Sequence, residues 1–389
     1  MMRRARKAIA ALAAASLVLG PMPVLAQDSG ALAYQPQTSD ERGLWLEMDE
    51  AERTLKTSRF VVRDPELNAY VRGVLCREVG EERCRGVRIY IVRTPGFNAS
   101  MAPNGMMQVW TGLLLRMRNE AQLAAVLGHE FGHFEHRHSL QNFRSIRGKT
   151  DAMAWLSFLG TVGLVAQVGL LGSIFSFNRD MEREADVVSI GYMRGGGYSP
   201  GAAAAVWRQV IREGEATAIA RKQKPRRHGR GFLDSHPAPE DRMTYLANLA
   251  RDVPDVGGGG FLGAGEYRGA MAKWWAPLID DQIKLNDFGG TEWLLEEMAL
   301  GEGWTPELLY ARGELYRARG KPEDFAAAAG FYREALAKGY ALPELRRGLG
   351  LALLRTGATG EGRALLKEYV TMQPDAADRP MIAMLAGGE

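Results

Sequence analysis

The chain has 389 residues, 46% hydrophobic and 24% charged, an ordinary globular composition long enough for one sizeable core and a second domain. Its formal charge of +3 includes Arg3, Arg4, Arg6 and Lys7; without these four, the 46 acidic side chains outnumber the remaining basic ones by one. Nothing in that balance points to a nucleic-acid partner.

Residues 1–26 read as a signal peptide: a basic head "MMRRARK", the apolar run "AIAALAAASLVLG" and small residues in "PVLA". The run is shorter than the roughly 20 residues that a bilayer requires, so export with cleavage after Ala26 is expected rather than an anchor. No cysteine follows the run, which argues against a lipid-anchored protein. After a low-complexity start at 27–38, Ser39-Asp40-Glu41 looks like a helix N-terminus, and a second helix opens at Asp64-Pro65-Glu66 and runs to about Cys76. In an exported chain the nearby Cys76 and Cys84 are expected to pair, stapling that helix to the strand "RIYIV" at 88–92; two buried thiols are the alternative. "VRIYIVR" (87–93) alternates like a strand, and "MMQVW" (106–110) after Asn104-Gly105 reads as its hairpin partner, giving a small sheet that is antiparallel in part.

Asn119 and Gln122 suggest a capping box for the next helix, which carries "AAVLGHEFGHFEHRH" (124–138) and with it four of the six histidines. On it Leu123, Leu127, Phe131 and Phe134 share one side, and His129, His133 and His136 another. Residues 152–178 contain no charge. Further on, "VGGGGFLGAG" (256–265) reads as a flexible linker between a domain at 27–255 and a helical domain at 266–389. Within the latter, Gly313, Tyr316 and Gly320 recur as Gly350, Leu353 and Gly357, and Ala328, Tyr332, Ala335 and Tyr340 recur as Gly362, Leu366, Tyr369 and Pro374. The second set has a period of 34, that of tetratricopeptide helix pairs, and "GKPEDFA" holds the insertion that reconciles the first. Two such repeats fall short of an independent stack, so helices around Trp274–Leu285 and Thr291–Leu300 are expected to complete it or dock it. A plain helical bundle is the alternative.

His129 and His133, four apart on a helix, can share one zinc ion, and Glu130 beside them is placed to take a proton from water held there. A third protein ligand is needed. The enzymes that use a third histidine six residues after the second are excluded, because the pattern would need a glycine where His136 stands and a histidine where Ser139 stands. His136 and His138 are read as surface or supporting residues. In "NRDMEREADVV" (178–188), Glu182 and Asp186 lie one turn apart, so Glu182 can ligate while Asp186 orients a ligand imidazole; Glu184 points elsewhere. In isolation this segment would pass for a solvated acidic patch balanced by Arg179 and Arg183.

"HEFGH", Glu182-x-x-x-Asp186, "FNASMAPNG" (97–105), "WTGLLL" (110–115) and "SHPAPEDR" (235–242), in this order over roughly residues 40–250, resemble the zinc metallopeptidases that include the CAAX prenyl endopeptidases, the HtpX-like heat-shock proteases and the BepA-like periplasmic proteases. The signal peptide and helical repeats point to the BepA-like branch. The resemblance implies a mostly helical α+β fold of zincin type with a small antiparallel or mixed sheet, followed by the tetratricopeptide-like domain. It implies one Zn2+ per chain on His129, His133 and Glu182, with Glu130 as general base and His236 and Arg242 beside the site. His236 could stabilise the oxyanion or occupy the fourth zinc position and shut the enzyme off. The basic run "RKQKPRRHGRG" (221–231) has no counterpart in the resemblance and reads as a solvated loop, or as a contact with an acidic partner or lipid surface.

Ligand geometry excludes a single membrane crossing by 152–178, since His133 and Glu182 would end on opposite sides although each must lie ~2 Å from one zinc. A hairpin or lid with peripheral membrane contact fits better. Substrate is expected to add as a strand to an exposed edge provided by "GMMQVW" (105–110), that is by Met106, Met107, Gln108 and Val109. The function expected is a periplasmic zinc endopeptidase acting on unfolded or misassembled polypeptides, docked on outer-membrane assembly machinery through its repeats. A non-proteolytic chaperone or scaffold is the alternative. An intact Glu130 favours the enzyme, because a structural zinc has no need of a base.

Overall fold

A computed structural model describes residues 35–147, 177–224, 236, 240–251 and 260–387. The signal-peptide reading, most of the uncharged segment 152–178 and most of the basic run 221–231 fall outside the described residues. No described helix is long and apolar enough to cross a membrane.

The first helix, α1 (Ser39–Thr57), is capped by the Thr38 side chain on the Glu41 N–H, one residue before the position expected. In α2 (Pro65–Val79), Asp64 accepts from the N–H groups of Glu66 and Leu67 and proline takes the first position, so the two orphan donors next in line are satisfied. A disulfide joins Cys76 of α2 to Cys84, the last residue of the short helix α3 (Glu81–Cys84), with Cα atoms 5.0 Å apart. It holds the chain just before strand β1 (Arg88–Val92).

The sheet corrects the sequence reading in two respects. Its order is β1-β3-β2, with β2 at Ala99–Met101 and β3 at Met106–Trp110. β1 is therefore not the hairpin partner of β3 but its parallel neighbour, Ile89 facing Met107 and Ile91 facing Val109. Asn104-Gly105 does make a hairpin turn, but one that joins β2 to β3. Gly105 has φ +88, and a Cβ there would press on the Gly86 carbonyl at 2.9 Å, so only glycine turns the chain here. The three-residue strand inside "FNASM" is too short for its alternation to stand out. The second correction concerns Met106, Met107, Gln108 and Val109. They are buried and lie on the central strand, whose backbone groups are already paired on both sides, so they offer no edge for a substrate. Among the described residues the edge strands are β1, which Val61 bridges at Val92, and β2, which packs on the histidine helix.

After α4 (Thr111–Arg116), helix α5 (Glu120–Glu135) begins at Asn119, whose side chain accepts from Gln122 N–H while the Gln122 side chain accepts from Arg118 N–H. Two more of its N-terminal donors, the N–H groups of Glu120 and Ala121, bond to the carbonyls of Gly263 and Leu262. Phe261 also pairs with the backbone of Gly197 and Ser199. Residues 260–263, read above as part of a flexible linker, are thus tied down, because they fill the hydrogen-bonding needs of a buried helix end; residues 256–259 lie outside the described set.

Next come α6 (His138–Arg147), α7 (Arg179–Gly195), α8 (Gly201–Ala220), α9 (Glu240–Arg251), α10 (Ala264–Ile283) and α11 (Phe288–Glu302). One apolar core runs from Val71 and Leu75 through Ile91, Val109, Leu127 and Phe131 to Tyr267, Leu278 and Leu294, so α10 and α11 dock directly on the part of the chain that carries the histidines. Buried Arg116 cross-links three helices, reaching both oxygens of Glu213 (2.5 and 2.7 Å) and the Gln282 side chain (3.0 Å). The remaining helices pack in neighbouring pairs, α12 (Pro306–Arg319) with α13 (Pro322–Ala337) and α14 (Pro343–Arg355) with α15 (Thr359–Met372), before a short α16 (Arg379–Leu385). The residues that recur in sequence sit at the helix crossings: a Cβ on Gly313 would press on the Tyr332 ring at 2.6 Å, and one on Gly350 on Leu366 at 2.8 Å.

Glu78 of α2 is buried against Gly128 of α5, where any Cβ would overlap its Oε1. Neither carboxyl oxygen has a hydrogen-bond partner among the described residues, and burial holds the group well above its ordinary pKa of 4.5, which favours the neutral acid. A pKa raised by folding means a contribution that is fully present below the ordinary value and is lost as pH rises toward the folded one. Replacing Glu78 by glutamine keeps the shape and removes the ionisation. The thermal midpoint of Glu78→Gln is expected to fall less than that of wild type between about pH 5 and about pH 8; parallel profiles would mean that the carboxyl is not buried as the acid.

Candidate metal centre

Helix α5 delivers His129 and His133 one turn apart, and α7 delivers Glu182 and Asp186 with the same spacing. Gly132 lets the two helices meet: a Cβ there would be 3.3 Å from the Ala185 Cα. The result is a buried cluster in which donor atoms of His129, His133, Glu182 and His236 all lie within 4.8 Å of one another. His129 Nε2 and His133 Nε2 are 3.1 Å apart, and lie 3.5 and 3.4 Å from the two Glu182 oxygens. His236 Nδ1 is 3.3 Å from His129 Nε2 and 2.9 Å from Glu182 Oε1. Four donors around a zinc with bonds of about 2.0–2.1 Å would be separated by about 3.3 Å; these spacings fit.

Charge makes the same point. Glu130, Glu182 and Asp186 are buried together with a single buried guanidinium, that of Arg242. With the imidazoles neutral, as metal ligands must be, three carboxylates against one guanidinium leave a deficit of two positive charges, which a divalent ion would cancel. Two facing imidazole lone pairs at 3.1 Å also need a cation or a proton between them.

Each ligand candidate is held from behind. Asp186 Oδ1 is 3.0 Å from His129 Nδ1, and Arg242 clamps Asp186 with Nε at 2.7 Å and Nη2 at 2.6 Å. Arg242 Nη1 reaches Glu182 Oε2 at 2.7 Å, its guanidinium lies 3.8 Å above the Trp207 ring, and Tyr245 donates to Asp186 Oδ2. His133 stacks on Phe177 with ring centroids 3.9 Å apart, and its Nδ1 faces His138 Nδ1 at 2.9 Å. Glu130 Oε1 stands 3.4 Å from His236 Nε2 without a hydrogen bond. Burial raises the Glu130 carboxyl above its ordinary range, the direction a proton acceptor needs. Burial also opposes charge on His129, but the hydrogen bonds it donates to Asp186 and Glu182 prevail and lift it to about 9, whereas burial takes His133 well below its ordinary value.

The cluster therefore unites His129, Glu130, His133, Glu182, Asp186, His236 and Arg242, residues spread over more than a hundred positions of sequence. Met106–Val109 are not part of it. Glu184, half exposed, stays outside the donor set but meets His136 and His138. Sequence reasoning missed Tyr245, one turn after Arg242, and Trp207 and Phe177, which nothing in a local pattern distinguishes from core aromatics.

A family model described as Peptidase family M48 matches residues 63–250. The beta-barrel assembly-enhancing protease of Escherichia coli (strain K12) is 23% identical over 276 residues, which cover 65% of this chain and 54% of the relative. That of Yersinia pestis is 25% identical over 272 residues, 63% and 54% of the two chains. The mitochondrial metalloendopeptidase OMA1 of Schizosaccharomyces pombe is 29% identical over 202 residues, 48% and 56%. The chain spans about half the length of these relatives. The matched region contains every residue of the cluster, from His129 to Arg242, and residues 63–250 of this chain are a peptidase family M48 domain.

Proposed function

We propose that this chain is a zinc-dependent endopeptidase of the periplasm that hydrolyses misfolded or misassembled polypeptides in outer-membrane protein assembly and quality control. The observation that carries the hydrolytic part is Glu130, a buried carboxylate with an unpartnered oxygen at the rim of a donor set whose spacings and charge suit one divalent cation. Zinc held by His129, His133 and Glu182 would supply Lewis acidity, acidifying water and polarising a peptide carbonyl. Glu130 Oε1 accepts the proton of the attacking water and passes it to the departing amide nitrogen. Asp186, fixed by Arg242 and Tyr245, keeps the His129 ring in the tautomer that presents Nε2. The substrate backbone adds to the outer edge of β2, where pairing reads little sequence and accepts many chains.

The assignment to outer-membrane assembly is supported by relatives named beta-barrel assembly-enhancing proteases, and export by the leader at 1–26 and the Cys76–Cys84 disulfide. The helix pairs over 306–372 serve as the docking surface for the assembly machinery. A second reading, a chaperone or scaffold that does not cleave at rest, is favoured by the position of His236, whose Nδ1 fills the fourth corner of the donor set.

Wild type and Glu130→Gln, each loaded with zinc and given an unfolded outer-membrane protein, test the reading. About one zinc per chain is expected in both, with cleavage lower by roughly 100-fold or more in the variant and lost from wild type after chelation. Equal cleavage by the two proteins would remove Glu130 and the mechanism with it. Because His236 closes the fourth corner, His236→Ala is expected to keep its zinc and to cleave several times faster than wild type. A fall of about 100-fold or more would instead make this histidine an oxyanion donor.

A further inference from the structure

A ligand imidazole needs a partner for its second ring nitrogen, and for His133 that partner is neither carboxylate nor backbone carbonyl but another histidine. We propose that His138 and Glu184 form a positioning relay that fixes the tautomer and tilt of His133, as Asp186 does for His129. The inference rests on the zinc reading above. His133 Nε2 faces His129 Nε2 and Glu182, so Nε2 is the metal-directed atom and the ring proton belongs on Nδ1. Nδ1–H points at His138 Nδ1 across 2.9 Å, which makes that nitrogen the acceptor and puts the His138 proton on Nε2. Nε2–H in turn meets Glu184 Oε2 at 3.1 Å, a carboxylate able to accept it. Every link has one donor and one acceptor.

The backbone is shaped for this contact. Arg137 has φ +56, a left-handed conformation uncommon in a side-chain-bearing residue. It lies between the end of α5 at Glu135 and the start of α6 at His138, and the turn it makes returns His138 to a buried place beside His133, its ring centroid 5.0 Å away. Glu184 lies two residues after the ligand Glu182 on α7, so one helix supplies a ligand, the support of one imidazole and the end of the relay to the other.

A competing use of the same side chains exists. His136 Nδ1 lies 2.8 Å from Glu184 Oε1, and donor atoms of His136, His138 and Glu184 fall within 4.8 Å of one another, as a second cation would require. Metal on His138 Nε2 would displace the proton that the relay needs there, so the two uses exclude each other.

The test measures the zinc dissociation constant by competition with a chromophoric chelator, the visible spectrum of the cobalt-loaded protein, and kcat and KM separately. Affinity is expected to fall about 10- to 100-fold in His138→Ala, with a shifted cobalt spectrum and a lower kcat at similar KM. His138→Gln, whose amide oxygen can accept from His133, is expected to recover part of the affinity, Glu184→Gln to lose less than His138→Ala, and His136→Ala to match wild type. Should His138→Ala fail to fold, the glutamine variants carry the comparison. The relay is overturned if folded variants of both residues hold zinc as tightly as wild type, or if wild type binds two zinc ions and His136→Ala binds one. A wild type that takes up no zinc would instead sink the peptidase reading on which the relay rests.

Discussion

The close approach of α5 and α7 is the constraint on which the rest of the molecule depends. Glutamate and aspartate side chains are short, and they reach the imidazoles of a neighbouring helix only if the two backbones nearly touch. Gly132, with Ala185 opposite, provides that contact. Gly128, one turn earlier, leaves the room in which the Glu78 carboxyl of α2 is buried. Each glycine costs a helix interior about 1 kcal/mol relative to alanine, so tertiary packing must hold α5 in place. It does so on nearly all sides, since the helix is buried from Glu120 to His133 and its N-terminal donors are satisfied by Asn119, Leu262 and Gly263.

Once the helices are this close, electrostatics governs. Burying three carboxylates is unfavourable by several kcal/mol per ion unless each is paired, and the site answers with one guanidinium used twice. Arg242 spans Asp186 and Glu182 with its flat fork while its face covers Trp207. A lysine could not make these contacts together, because they need a planar group with several donors in fixed directions. The remaining negative charge suits the centre to a cation, and Glu130 keeps one oxygen, Oε1, without a hydrogen-bond partner among the described residues.

The docking of α10 and α11 on the same core gives the C-terminal helices a rigid base. The backbone of residues 260–263 does two things at once: it delivers the chain to α10 and it closes the N-terminus of the helix that carries the histidines. Of the helix pairs that follow, α12 shares that apolar core through Leu308, Ala311 and Leu315, and the later helices pack in clusters of their own.

Much of this was legible in the chain itself. Local rules were enough for the helices opened by Ser39, Pro65 and Asn119, because caps and prolines act within a few residues. Four-residue spacing was enough for His129 with His133 and Glu182 with Asp186, because 3.6 residues per turn fixes which side chains share a face. Strand order was not legible: β2 has three residues, too few for a period, and a parallel neighbour and an antiparallel one look alike in alternation. The edge assigned to Met106–Val109 went wrong for that reason. A run of glycines suggested a linker, yet its end was recruited to cap a helix just over 140 residues earlier, a contact no local pattern encodes. Nor could spacing foresee Arg242 on Asp186 or His138 behind His133, since the first contact forms between distant segments and the second depends on a left-handed turn at Arg137. The sequence by itself determined which side chains could bind a cation and which helix faces they share. Tertiary structure decided which of them meet, because reach across a helix interface depends on backbone separation, and separation is settled only when the whole core packs.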